Sequence, residues 1–191
     1  MKYLLALWMF IHLSCNHPAT TTDNNNQVLL PPHIEVDASN PFLHNANGTW
    51  MFKDTAFSGF IVQKENNRLM AKLSVVAGKE NGAGYEWYKN GKLKTEKHFM
   101  KGDREGFQKG WYENDSLAYQ LFFHQDKYEG TQMYYYPSGH IWQMLNYTGG
   151  ETDGKQKTWS DSGRVINNFT VKNKRLYGVI GRYDCMSVHK R

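Results

Sequence analysis

The chain has 191 residues, a formal net charge of +5 and two cysteines, Cys15 and Cys185. If Cys15 is lipidated, Cys185 has no partner, so a disulfide framework is excluded and an exported fold has to rely on its own packing. The sequence holds no Gly-x-Ser-x-Gly elbow, His-Glu-x-x-His zinc motif, phosphate loop or Cys-x-x-Cys pair, which argues against an enzyme and leaves no metal or cofactor to expect.

The first segment, 1–15, reads as a lipoprotein signal peptide. Lys2 precedes an apolar stretch, 3–13, that falls far short of the roughly 20 residues a helix needs to cross a bilayer. The stretch ends at Leu13-Ser14-Cys15. A small residue directly before a cysteine resembles the lipobox of bacterial lipoproteins, whose cysteine is acylated on sulfur and becomes the new N-terminus. His12 stands where that motif usually has leucine, and an ordinary secretory signal with an incidental cysteine is the other reading. Asn16 is not the aspartate that retains many lipoproteins in the inner membrane, so the expectation is an exported bacterial lipoprotein of the cell envelope, in the outer membrane where there is one.

Residues 16–49 are rich in Thr, Asn and Pro. Such composition cannot bury enough apolar surface to fold alone and reads as a tether. Within it, Val28-Leu29-Leu30 and Ile34-Glu35-Val36 are candidates to dock on the first hairpin as an edge strand.

From 50 to 178 one unit repeats. Gly82, Gly106, Gly130, Gly154 and Gly178 fall at an unvarying 24-residue interval. In step with them run Asn90, Asn114, Ser138 and Ser162; Trp87, Trp111, Tyr135 and Trp159; Leu93, Leu117, Ile141 and Val165; and Phe99, Phe123, Tyr147 and Val171. Several columns kept in step imply one supersecondary unit stacked on itself. Each unit reads as a hairpin: alternating aromatic-rich runs flank Asn90-Gly91, a signal for a two-residue turn with positive φ at both positions. Ser138-Gly139 and Ser162-Gly163 repeat it, and Asn114-Asp115 is the nearest substitute. A degenerate unit, Phe57 to Gly78, precedes these as a cap. The fold class predicted is all-β, an elongated antiparallel meander of about six stacked hairpins.

Because 24 is even and strand side chains alternate, each column stays on one face. A two-residue turn sets Tyr88 opposite Leu93, which puts Tyr88, Tyr112 and Tyr136 with the Leu/Ile/Val column. The other face then carries Trp87, Trp111, Tyr135 and Trp159 opposite Lys94, Ala118, Trp142 and Ile166. A turn one residue longer exchanges these assignments. The candidate binding face is Trp87, Trp111, Tyr135, Trp142 and Trp159, with structural packing as the alternative role for those rings. Glu105, Glu129 and Asp153 recur before the glycines, where the turn explains them; His98, His124 and His140 occupy different columns and build no repeated site.

The phrase Gly-x-x-Trp-Tyr-x-Asn-Gly-x-Leu-x-x-Glu, followed by Phe-x-x-Gly-x-x-Glu-Gly, spans 84–106 and recurs with substitutions to Gly178. It resembles the MORN-repeat variant of bacterial proteins labelled YwqK-family antitoxins, over about two thirds of the chain. The resemblance implies a repetitive antiparallel sheet, no catalytic residues and a role in binding a protein or membrane partner; an antitoxin or immunity role follows from the family label alone. Asp115, Asp126, Lys174 and Ser160 depart from the pattern and mark a diverged array.

The last segment, 179–191, is a basic tail. From residue 172 on, Lys172, Lys174, Arg175, Arg182, Lys190 and Arg191 face Asp184 alone, which suits anionic headgroups, an acidic partner or simple solvation. Export argues against a nucleic-acid partner. Cys185, Met186 and His189 could hold a soft metal such as Cu(I), or Cys185 could be a buried thiol closing the sheet. The function expected is a non-enzymatic, membrane-anchored binding or scaffolding protein whose partner is a protein, a peptide or an envelope glycan.

Overall fold

A computed structural model of the chain describes residues 31–179. Cys15, the signal segment, Val28 to Leu30, and Cys185, Met186 and His189 of the tail lie outside the described residues.

All regular structure among the described residues is β. The strand β1 (Glu35–Asp37) is a short edge; β2 (Leu43–Ala46), β3 (Thr49–Phe52) and β4 (Thr55–Ala56) make a small antiparallel sheet. Four hairpins of the long sheet follow: β5 (Gly59–Glu65) with β6 (Arg68–Val76), β7 (Lys79–Trp87) with β8 (Leu93–Met100) and the short β9 (Asp103–Arg104), β10 (Gly106–Trp111) with β11 (Leu117–His124) and β12 (Lys127–Tyr128), and β13 (Gly130–Tyr135) with β14 (Ile141–Thr148) and β15 (Glu151–Thr152). The fifth is β16 (Gly154–Trp159) with β17 (Val165–Lys172), closed by β18 (Arg175–Val179). The long sheet runs β1-β5-β6-β7-β8-β10-β11-β13-β14-β16-β17-β18, an antiparallel meander apart from β1, which pairs parallel with β5. Among the described residues the array therefore has five hairpins in the long sheet, while β2, β3 and β4 form a separate sheet. The stretch read as a tether carries β1 and β2, because Val36 and Leu43 bury themselves in the core.

The two ends of the strands use different turns. At one end, Gly91 N–H donates to the Tyr88 carbonyl (2.9 Å) and Tyr88 N–H to the Lys92 carbonyl (2.8 Å), and only Gly91 has positive φ, at 86°. This is a type I turn followed by one left-handed residue, a three-residue loop. Asp115 (67°), Gly139 (88°) and Gly163 (80°) repeat it. The turn is thus one residue longer than a two-residue hairpin, and Pro137 fits its second position, where proline's fixed φ suits a type I turn. At the other end, Lys101-Gly102, Gln125-Asp126, Gly149-Gly150 and Asn173-Lys174 have positive φ at both positions. These are the two-residue mirror-image turns, as is Asn66-Asn67 in the degenerate unit.

The longer loop brings a bulge. Trp87 pairs with Leu93 while Glu86 pairs with Thr95, so Lys94 is an extra residue in its strand; Trp111, Tyr135 and Trp159 pair with Leu117, Ile141 and Val165 by the same shift. A bulge of this kind changes which face the following side chains occupy. The Leu/Ile/Val column joins the Trp column, and the column of Lys94, Ala118, Trp142 and Ile166 goes to the face of Tyr88, Tyr112 and Tyr136. Lys94 Nζ lies 5.9 Å from the Tyr88 ring centre, and the Trp142 ring lies 6.1 Å from Tyr136 and 6.2 Å from Tyr134.

One face is packed. Val36, Leu43, Phe57, Ile61 and Val75 form its core at the N-terminal end, under the small sheet, with Trp50, Phe52 and Leu73 around them. Farther along, the short strands lean over it: Tyr128 stacks 4.5 Å from Phe123 and 5.0 Å from Tyr147, and the Arg104 guanidinium sits 4.1 Å from Phe123. The glycine column pairs across the hairpin with the Phe99, Phe123, Tyr147 and Val171 column. Gly82, Gly106, Gly130, Gly154 and Gly178 all have positive φ. At Gly106 no atom would obstruct a Cβ, so its left-handed backbone, where the chain steps from a short strand into a long one, is what selects glycine.

Joints between units rest on three polar columns. Gln108, Gln132 and Gln156 are buried on the packed face. Each reaches a main chain that has splayed away: Gln132 Oε1 accepts from Phe122 N–H (2.8 Å), and its Nε2 donates to the Phe122 carbonyl (3.1 Å) and the Glu129 carbonyl (2.9 Å). Gln108 serves His98 and Gln156 serves Asn146 in the same way. The hydroxyls of Tyr88, Tyr112 and Tyr136 donate to the carbonyls of Trp111, Tyr135 and Trp159 in the next unit, at 2.8, 2.8 and 3.0 Å. Asn81, Glu105 and Glu129 accept from the amides of Lys101, Gln125 and Gly149. Glu105 and Glu129 therefore brace the next unit's turn rather than their own.

Candidate binding face

On the outer face, strand order sets Trp87, Leu93, Trp111, Leu117, Tyr135, Ile141, Trp159 and Val165 in one row, aromatic and aliphatic in turn. Neighbouring strands are about 4.8 Å apart, so successive aromatic rings stand about 9.6 Å apart. The rings are half-buried, while Ile141 and Val165 are 38% and 46% exposed. Trp87 leans on Tyr85 (5.8 Å), and Lys157 Nζ sits 4.8 Å over Trp159. Among the described residues the indole N–H groups of Trp87, Trp111 and Trp159 have no hydrogen-bond partner. Of the five rings proposed from sequence, four share this row and Trp142, 41% exposed, stands on the opposite face beside Tyr134 and Tyr136.

The same face carries a groove of about 450 Å³ between β8 and β10, lined by Glu96, His98, Met100, Phe107 and Lys109 among others. A second, of about 480 Å³, recurs two units on around Met144, Asn146 and Lys155. Both open where one hairpin parts from the next. Phe122, against Phe107 at 5.1 Å, stands at the equivalent place between them. His98, His124 and His140 each sit beside a separate carboxylate, Glu96 (3.2 Å), Glu105 (3.0 Å) and Asp161 (3.4 Å). Burial alone would raise the Glu105 carboxyl, but hydrogen bonds from His124 and the Gln125 amide outweigh it and hold the group below its ordinary value. Among the described residues no three His, Cys, Asp or Glu side chains stand together as a metal site.

A cavity of about 260 Å³ lies on the packed face beneath Trp50, lined by Ile61, Leu73, Glu80, Thr95, Lys97 and Phe99 among others. Thr95 Oγ1 is buried there without a partner. Burial pushes the Glu80 carboxyl above its ordinary value against the opposing effect of the Trp50 hydrogen bond. This cavity exists only because the small sheet covers the first units, a contact that no local pattern announces. The glutamine column is a different case: sequence reasoning passed over it, although Gln108, Gln132 and Gln156 recur at the common 24-residue interval and so carried a readable signal.

Two segments of the chain, 80–101 and 128–148, match the family model described as MORN repeat variant. They lie two repeat periods apart and cover β7 with β8 and β13 with β14, each including its type I turn. The unit between them carries Asp115 where these two have Gly91 and Gly139. None of the curated proteins compared with the chain matches it.

Proposed function

We propose, from the likeness of two units to the MORN repeat variant and from the geometry of the sheet, that the chain is a non-enzymatic binding or scaffolding module. It holds a protein or envelope partner on its outer face while Cys15 anchors it to the membrane as an exported lipoprotein. The observation that carries the reading is the row of Trp87, Trp111, Tyr135 and Trp159, whose indoles keep unpaired donors at a surface where buried packing would have satisfied them. Clustered Trp and Tyr are enriched among binding hot spots because they offer large area at few rotatable bonds.

The test is affinity purification of the lipidated protein from its own membrane, with Trp111→Leu/Tyr135→Leu as the comparison. Loss of the partner with an unchanged unfolding temperature supports the reading. A large fall in unfolding temperature shows the row to be core and refutes it. A toxin recovered on the same face would make the role immunity. For the anchor, Cys15→Ser should abolish acyl labelling and leave the precursor uncleaved; a lipid-free mature wild type would make the signal an ordinary secretory one.

A further inference from the structure

We infer that the outer row is a reader of polyproline II segments, taking one turn of a proline-rich partner strand per repeat. The inference rests on the binding role proposed for this face and names its ligand class. Three features point to it. Aliphatic floors alternate with aromatic ridges, so Leu93, Leu117 and Ile141 each lie in a groove between two rings: Trp87 and Trp111, Trp111 and Tyr135, Tyr135 and Trp159. A proline ring set between aromatic ridges is how grooves of this kind hold extended proline-rich chains.

The second feature is the period. The grooves recur about every 9.6 Å, two strand spacings, and a polyproline II helix advances about 9.3 Å per turn of three residues. Every third residue of such a ligand therefore meets an equivalent groove. A β-strand ligand has period two and would turn alternate contacts away from the row. Sheet twist rotates each groove by roughly 40–50° from the last, and a helix without internal hydrogen bonds can follow that by small backbone changes.

The third feature is the sign of the hydrogen bonding. Proline-rich backbone lacks N–H groups and displays bare carbonyl acceptors. Around the row the face offers donors: the three free indole N–H groups, and Lys109, Lys155 and Lys157, none of which has an ion-pair partner among the described residues. Pairing register puts Glu96 on this face near the row, where His98 occupies it at 3.2 Å, while Asp103 and Glu151, opposite Met100 and Thr148, share the face only at the strand ends away from the row, Glu151 paired with Lys174. A donor-rich, ridged surface with a three-residue period complements a polyproline II strand in shape, spacing and polarity.

The experiment titrates the full chain with polyproline peptides of about six, nine and twelve residues and follows tryptophan fluorescence. Glycine/serine peptides of equal length and soluble envelope glycan fragments serve as comparisons. With three grooves available, affinity should rise roughly fivefold for each added turn up to nine residues, a gain typical of one further ring-on-ring contact, and stay flat from nine to twelve. Trp111→Leu/Tyr135→Leu, checked for an unchanged unfolding temperature, should remove the gain. Equal binding of glycine/serine peptides, binding of glycans in place of polyproline, or polyproline binding indifferent to the two substitutions would each overturn the inference. If the membrane partner is lost in that variant while polyproline never binds, the face remains a binding face and its ligand class is another.

Discussion

Replacing Gln132 by leucine tests whether side chains carry the joints between units. Gln132 is fully buried, and its amide serves main-chain groups that no strand pairing reaches. Leucine removes the acceptor for Phe122 N–H and the donor for the Glu129 carbonyl. The Phe122 carbonyl keeps a second donor in Glu129 N–H, at 3.0 Å. Each buried polar group left without a partner costs about 1–3 kcal/mol, so the two together should lower stability by about 2–6 kcal/mol, slightly offset by the apolar area leucine buries. The assay is urea unfolding, with Gln120→Leu as the control. Gln120 is on the outer face with no side-chain hydrogen bond among the described residues, and its loss should stay within about 0.5 kcal/mol. Gln108 lies one unit away, about 9.6 Å, so the double variant with Gln108→Leu should be additive to within about 0.5 kcal/mol. A loss at Gln132 no larger than at Gln120 would refute the assignment of the joint to this column.

Gly106→Ala should cost about 1–2 kcal/mol in urea unfolding, because the added Cβ has room but φ is 76°; Gly106→Asn should cost less. Tyr112→Phe removes the 2.8 Å bond to the Tyr135 carbonyl and should cost about 0.5–1.5 kcal/mol, with the fold intact by circular dichroism. Glu80 is held above its ordinary value of 4.5, so its neutral form favours the fold, and stability falls as pH rises from that value through the folded one. Glu80→Gln, which keeps an acceptor for Trp50, should therefore raise the urea midpoint at pH 7 and leave it unchanged near pH 4; an equal effect at both would show that ionisation is not the cause. Deleting residues 107–130 should leave a folded, shorter sheet, whereas deleting 107–118 should be far worse, since half a unit breaks strand alternation; equal damage would count against the repeat architecture.

The column of Gly82 to Gly178 made the architecture legible, because positive φ at one place per unit is a demand that sequence must record. Face assignment was harder. Asn90-Gly91 is compatible with two loop lengths, and the bulge that moves Trp142 away from Tyr135 arises from backbone pairing, which alternation does not encode. Pro137, in the second position of its turn, is the residue in the sequence that fits only the longer loop well, and it went unread. The small sheet was hidden for another reason: Leu43, Trp50 and Phe52 fit the repeat poorly, and their burial depends on Ile61 and Val75, contacts made across chain distance.

The joints address backbone atoms. Gln132 grips an amide and a carbonyl of Phe122, Tyr112 a carbonyl, and Glu105 an amide of Gln125, and none of these acceptors or donors depends on the neighbour's residue type. Any unit that keeps the glycine, glutamine and tyrosine positions can thus follow any other. Duplication or loss of whole units leaves every seam chemically familiar, and the outer side chains are free to diverge without consulting the seam. The outer aromatic row and the load of assembly are written in separate columns, so selection can rewrite one while holding the other fixed.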